Sequence, residues 1–243
     1  MFKLIGVILF AFIISVAPSA YAIEVTPMVV TFSPQDTTRT PFSVIYNQLP
    51  RDVAFNIQVY DVKFDKTGKS KPTLVPLDNS PLWVFPPSLY LKAGTSQRIQ
   101  FRWIGKTMPT EDKTYQVSLI EQPIENTSTN KTSKLTILLD VNLIVHLNQN
   151  KFKPDVKVEK TYSKNGDLYA TILNSGPGSS RLSDYDSTIF ENGKTLKNFK
   201  KQELKSQGYD VFFPPYSAMD VKIPFSKSLK KNKNNELTLK LME

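Results

Sequence analysis

SKLTILLDVNLIVHL, residues 133–147, puts Leu135, Ile137, Leu139, Val141, Leu143, Val145 and Leu147 on every second position. A period of two marks one face of a β-strand, whereas a helix would scatter these side chains around its circumference. At about 3.3 Å per residue, Leu135 to Leu147 spans roughly 43 Å, far beyond the usual strand of about 5–6 residues. Either this strand crosses an unusually tall sheet, or part of it serves something other than its own core.

The residues around it read the same way. Predicted strands run over Ile23–Phe32, Pro41–Tyr46, Ala54–Phe64, Leu82–Val84, Ser88–Leu91, Ser96–Trp103, Thr114–Glu121 and Lys134–Leu147. Proline, glycine and asparagine signals separate them, among them Ser33-Pro34, Lys66-Thr67-Gly68, Pro86-Pro87 and Ala93-Gly94. Short strands at this spacing, with almost no helical periodicity, predict an all-β sandwich. NQNKFKP, residues 148–154, is polar, contains a proline and reads as a boundary. A second series follows it: Val156–Tyr162, Leu168–Asn174, Asp186–Phe190, Tyr209–Phe213, Ala218–Pro224 and Leu237–Met242. Its two Asn-Gly pairs, Asn165-Gly166 and Asn192-Gly193, are hairpin signals. Pro123–Lys134 and Ser226–Asn235 are polar connections with little to bury.

Residues 1–22 stand apart. A lysine, an apolar run from Leu4 to Val16 and Ala20-Tyr21-Ala22 make a signal peptide with an A-x-A cleavage site. The expected organisation is therefore a signal peptide at 1–22, one domain at 23–149 and another at 150–243, exported from a bacterial cell. No later run is long and apolar enough for membrane insertion.

Composition narrows the chemistry. There is no cysteine, which excludes disulfides, thiol catalysis and cysteine metal sites. The single histidine, His146, excludes a His-rich metal site, so no metal and no cofactor is expected. Its phase on the long strand makes it a surface or interdomain contact rather than a general base. No nucleophile elbow, P-loop, H-E-x-x-H or dinucleotide fingerprint is present, so the expectation is no enzyme and no catalytic residue. Residues 23–150 carry 13 Lys+Arg against 11 Asp+Glu, and residues 151–243 carry 17 against 11. This excess reads as a solvated Lys-rich surface. An exported chain without an RNA- or DNA-binding motif argues against a nucleic acid partner.

The order of signals in the first half carries a resemblance. PPSLYLKAGTSQRIQF (residues 86–101), YQVSLIEQP (115–123) and then LTILLDVNL (135–143) follow one another as in the PapD-like periplasmic chaperones of the chaperone–usher pathway, which this chain resembles over its mature length. The resemblance implies two immunoglobulin-like β-sandwich domains in a boomerang, located in the periplasm. It implies a chaperone that binds pilus or fimbrial subunits by donor-strand complementation and delivers them to an outer-membrane usher. The donated face would comprise Leu135, Ile137, Leu139, Val141 and Leu143, with Val145 and Leu147 continuing into the chaperone's own domain.

The chain departs from the pattern at the anchor for the subunit's C-terminal carboxylate. The places of the family's arginine and lysine hold Val29 and Ile144, and the interdomain arginine is replaced near Asn148, with Asp112 retaining the acidic partner. This marks a divergent branch, archaic or alternative. Arg98, Arg102 and Lys134 are the nearest basic candidates for a carboxylate anchor. Other readings stay open at this point: a secreted two-domain adhesion or binding module whose long strand is wholly internal, or a pilus subunit itself.

Overall fold

The computed structural model describes residues 21–36, 38–67, 71–124, 137–164, 167–191, 193–206, 208, 210–223 and 237–242. The expected signal peptide, apart from Tyr21 and Ala22, lies outside the described residues, as do Lys134, Leu135 and the basic run 226–235.

The chain forms two β-sandwiches. Ten strands build the first: β1 (Ile23–Thr26), β2 (Val29–Phe32), β3 (Phe42–Asn47), β4 (Val53–Lys63), β5 (Thr73–Pro76), β6 (Leu82–Phe85), β7 (Ser88–Leu91), β8 (Ser96–Trp103), β9 (Lys113–Gln122) and β10 (Asp140–Leu147). One sheet has the order β1-β3-β8-β6; the facing sheet has the order β2-β10-β9-β4-β5, with β7 also pairing β4. Alternation decides which side chains meet between them. Ile45, Phe55, Ile99, Phe101, Val117, Leu119, Leu143 and Val145 are fully buried in one core, while their sequence neighbours point to the opposite faces of the sheets.

The second sandwich contains β11 (Val156–Lys164), β12 (Asp167–Asn174), β13 (Ser180–Arg181), β14 (Asp186–Glu191), β15 (Lys194–Phe199), a short helix α1 (Lys201–Ser206), β16 (Phe212–Phe213), β17 (Ser217–Lys222) and β18 (Leu237–Met242). Its main sheets are β11-β12-β17 and β15-β14-β18, packed over Leu168, Ala170, Ile172, Ile189, Phe199 and Phe213. Gly193 (φ 77°) sits in the tight turn between β14 and β15, the conformation its hairpin signal requires.

Two departures from the predicted strands matter for function. Ile23–Phe32 is not one strand. It breaks at Pro27, so that β1 pairs with β3 in one sheet and β2 pairs in parallel with β10 in the other. Proline has no N–H to give a ladder, and the chain uses the break to change sheets. The long strand is also shorter than predicted. Its ordered ladder begins at Asp140, and residues 137–139 lie beside the sheet without being strand. Alternation reports which face a residue takes; it does not report whether a core exists to receive it. β5, β15 and α1 were not anticipated, because β5 and most of β15 are exposed and show no burial alternation.

The junction between the sandwiches is polar and closely packed. The Asp112 carboxylate accepts from the Gln149 N–H (3.2 Å), the Ser179 N–H (2.9 Å) and the Ser179 hydroxyl (2.9 Å), and the Asp112 N–H donates to the Pro177 carbonyl at 2.9 Å. Gly178 lies so close to the linker that a Cβ there would stand 2.4 Å from the Phe152 carbonyl oxygen. Asp112 therefore does hold an acidic position at the junction, with hydrogen-bond donors as its partners.

Candidate partner-binding edge

The two edges of β10 are used differently along its length. Against β9 it is paired throughout, from Asp140 opposite Ile120 to Leu147 opposite Lys113. On the other side, β2 covers only Ile144–Leu147, and its pairing starts with the Ile144 N–H donating to the Met28 carbonyl at 2.9 Å. Among the described residues no strand pairs with the outer edge of Asp140–Leu143. Because residues two apart point their backbone groups the same way, the N–H and C=O of Asp140 and Asn142 face that open edge, in phase with Ile144.

The side chains follow the same division. Leu143, Val145 and Leu147 are fully buried, and Val141 packs partly against the first core. Upstream the apolar residues emerge. Leu139 is half-buried, while Ile137 is 69% exposed and Leu138 46%. Of the donor face expected from sequence, Leu143 needs correction, because it is sealed in its own domain. Ile137, Leu139 and Val141 remain along the edge, Leu135 lies outside the described residues, and the exposed Leu138 was not anticipated.

An ion pair with a buried carboxylate fixes the start of this edge. Glu121, next to last in β9, lies in the inward phase of Tyr115, Val117 and Leu119, with a side chain only 1% exposed. A carboxylate there is costly unless it is paired and hydrogen-bonded. Arg51 meets it through both guanidinium nitrogens, Nη1 on Oε1 and Nη2 on Oε2. The same two side chains reach across to the emerging segment. The Leu139 N–H donates to Glu121 Oε2 at 3.0 Å, and Arg51 Nη2 donates to the Ile137 carbonyl at 3.3 Å. The last backbone rung is the Glu121 N–H on the Leu139 carbonyl, 2.9 Å. Sequence reading missed this pair. The signal was present as a carboxylate in the inward phase of an apolar strand.

The face of β10 that turns away from the first core carries Asn142, Ile144 and His146. Asn142 Oδ1 accepts from Gln116 Nε2 (2.9 Å) and from the Ser118 hydroxyl. His146 is buried between the domains: its ring stacks on Phe212 at 4.0 Å and its Nδ1 is 2.9 Å from the Thr114 hydroxyl. Burial pushes its pKa down to about 4, and the nearby positive charge of Arg181 acts in the same direction. Of the two placements expected for His146, surface or interdomain contact, the interdomain one is observed.

The positions assigned to the missing carboxylate anchor, Val29 and Ile144, are direct partners in the β2–β10 ladder. The basic candidates are not brought to them. Arg98 and Arg102 lie on β8 in the opposite sheet, in the outward phase on either side of buried Ile99 and Phe101, and Arg98 stacks over the Phe42 ring at 3.9 Å. A whole sandwich separates their guanidinium groups from the β10 edge, which removes both as anchors there. Lys134 lies outside the described residues. Among the described residues no group of three or more His, Cys, Asp or Glu is arranged to hold a metal ion, and no helix is long and apolar enough to cross a membrane.

This arrangement can be set against proteins of known structure. The crystal structure of the class 5 fimbrial chaperone CfaA matches over 90% of this chain and 98% of that chain, with a TM-score of 0.56 and 12% sequence identity. The chain has the fold of a fimbrial chaperone. Lower similarity is found to a chain of the CsuC–CsuE chaperone–tip adhesion subunit pre-assembly complex from the archaic Csu pili of Acinetobacter baumannii. There the TM-score is 0.49 and the identity 12%, over 83% of this chain and 90% of that chain. A chain of the Salmonella enterica SafA pilin–SafB chaperone complex gives a TM-score of 0.48 at 15% identity, over 86% of this chain and 87% of that chain. No family model and no curated protein matches the sequence.

Proposed function

We propose that this chain is a periplasmic chaperone of pilus or fimbrial subunits. It binds a subunit that lacks a strand, completes it with the edge of β10, and passes it to an outer-membrane usher. The observation that carries the reading is the open outer edge of Asp140–Leu143, continued upstream by exposed Ile137 and Leu138. An extended partner strand gains main-chain hydrogen bonds from such an edge and side-chain specificity from alternate pockets. An apolar edge left open is otherwise a site of aggregation, so its retention favours a dedicated partner. The fimbrial-chaperone fold supports the same reading. In this scheme residues 1–22 direct export, residues 23–149 form the subunit-binding domain and residues 150–243 the second domain. Ile137, Leu139 and Val141, with Leu135 upstream, supply the lent side chains. The work is binding, so no cofactor is required.

The test is a double substitution, Ile137→Asp with Leu139→Asp, in the full chain expressed with an exported pilus subunit that lacks a strand. The expected result is loss of subunit from the purified chaperone, with circular dichroism and melting temperature unchanged. Undiminished co-purification of subunit refutes the proposal.

A further inference from the structure

Arg51 and Glu121 are 70 residues apart in sequence and converge on a stretch that is not itself strand. Lys113 and Glu121 share the inward phase of β9, but the Lys113 side chain is 27% exposed whereas that of Glu121 is 1% exposed, and nothing in core packing calls for a charge there. An apolar pair at these positions would satisfy the sandwich without desolvating a carboxylate. The hydrogen bonds say what the pair does instead. One carboxylate oxygen takes the Leu139 N–H, where a continued antiparallel ladder would have offered the Glu121 carbonyl. One guanidinium nitrogen takes the Ile137 carbonyl. Beyond the backbone rung at the Leu139 carbonyl, side chains thus take over from the β9 backbone as partners for the Leu139 N–H and the Ile137 carbonyl, on the inner side.

The alternative use of this site, as a pocket for a small ligand, is closed by its bonding. The adjoining cavity measures about 510 Å³ and is lined by Arg51, Asp52, Tyr90, Glu121 and Leu138 among others. Its polar groups already serve one another. Asp52 accepts from the Tyr90 hydroxyl at 2.6 Å and from the Ala93 N–H at 3.0 Å, while both terminal nitrogens of Arg51 are engaged by Glu121 and by backbone carbonyls.

We propose that Arg51 and Glu121 are positioning residues for strand donation, a clamp that holds Ile137–Leu139 against β9 in the free protein and keeps the outer edge and the Ile137 side chain presented to a partner. This role rests on the chaperone reading. The partner that fits is an incomplete β-sandwich offering a linear apolar groove, because the exposed side chains of the clamped segment, Ile137 and Leu138, are apolar. Holding the segment before encounter removes part of the ordering cost that a loose segment would meet on binding, so the effect appears in the capture rate.

The experiment compares wild type, Arg51→Lys, and the double variant Arg51→Met with Glu121→Met, which leaves no lone buried charge. Amide exchange at Leu139 in the free protein, melting temperature, and the rate at which each captures the exported subunit used above are measured together. The clamp predicts Leu139 exchange faster by about tenfold or more in the double variant, from loss of a hydrogen bond to a charged group. Exchange at Val117 and Val145 stays slow, the melting temperature changes little, and capture slows by about tenfold. Arg51→Lys, which keeps the charge without the two-pronged fork, falls between. Unchanged protection of Leu139 overturns the clamp. Wild-type capture matched by the double variant overturns its role in donation alone, whereas a wild-type chain that captures nothing overturns the chaperone reading beneath it.

Discussion

Ile137 and Leu143 stand six residues apart in the same alternating set, and the structure gives them opposite surroundings. Ile137 is 69% exposed and Leu143 is 0%. Fully burying a large aliphatic side chain stabilises by about 1.5–3 kcal/mol, so moving the exposed two-thirds of Ile137 into a partner's groove contributes about 1–2 kcal/mol to binding. Ile137→Ala should therefore weaken subunit affinity by roughly 5- to 30-fold and leave the melting temperature of the free protein within a degree or two. Leu143→Ala acts on the other side of the ledger. It opens a cavity in a closed core, for which about 2–5 kcal/mol of folding stability is expected, visible as a lower urea midpoint. Urea unfolding of the two free variants, beside titration of each against the same subunit, reads both effects. If Ile137→Ala destabilises the free protein like a core truncation and leaves affinity unchanged, the division of β10 into a lent part and a home part is wrong.

Other expectations follow from the junction and the opposite sheet. His146 is held below its ordinary pKa of about 6.5, at about 4, so the unfolded chain binds a proton in that interval that the folded chain does not. Stability should rise with pH through that window and fall on acidification by on the order of 3 kcal/mol, a slope that His146→Gln flattens in urea melts at pH 7 and pH 4.5. Phe212→Ala removes the stacked ring, and the one histidine signal in the proton NMR spectrum should then titrate closer to its ordinary value. Asp112→Ala leaves the N–H groups of Gln149 and Ser179 without their acceptor, costing about 1–3 kcal/mol and broadening the distance distribution between domains in small-angle scattering. Arg98→Ala and Arg102→Ala, on the far sheet, should leave subunit affinity unchanged within twofold; a larger loss would return them to the binding edge.

Much of the fold was legible because most strands meet a core. Ser88–Leu91 and Ser96–Trp103 coincide with their predicted limits, since alternation and a bounding turn agree at both ends. The site was legible as a ribbon but not as a boundary. The apolar period runs unbroken from Leu135 to Leu147, and nothing local marks where it ceases to be covered by β2, because that depends on a strand more than a hundred residues earlier. Glu121 lay in plain view as an inward-phase charge, yet its partner Arg51 belongs to a turn whose position only the tertiary fold sets. The junction was harder still: Asp112 and Ser179 have no sequence pattern linking them. Two of the three anchor candidates, Arg98 and Arg102, lie away from the edge for a related reason. Basic residues near a strand in sequence order can sit on the far sheet of the same sandwich, as Arg98 and Arg102 do.

Pro27 has a consequence for the size of what can be lent. For β2 to advance one more rung along β10, the carbonyl of Thr26 would have to meet Asn142, but the chain before Pro27 already belongs to β1 and is hydrogen-bonded to β3. One imino acid thus acts as a ruler, marking the residue at which self-coverage stops and, on the proposed function, hospitality to another polypeptide would begin. Relatives that differ in where this break falls should differ, residue for residue, in the length of strand they can offer.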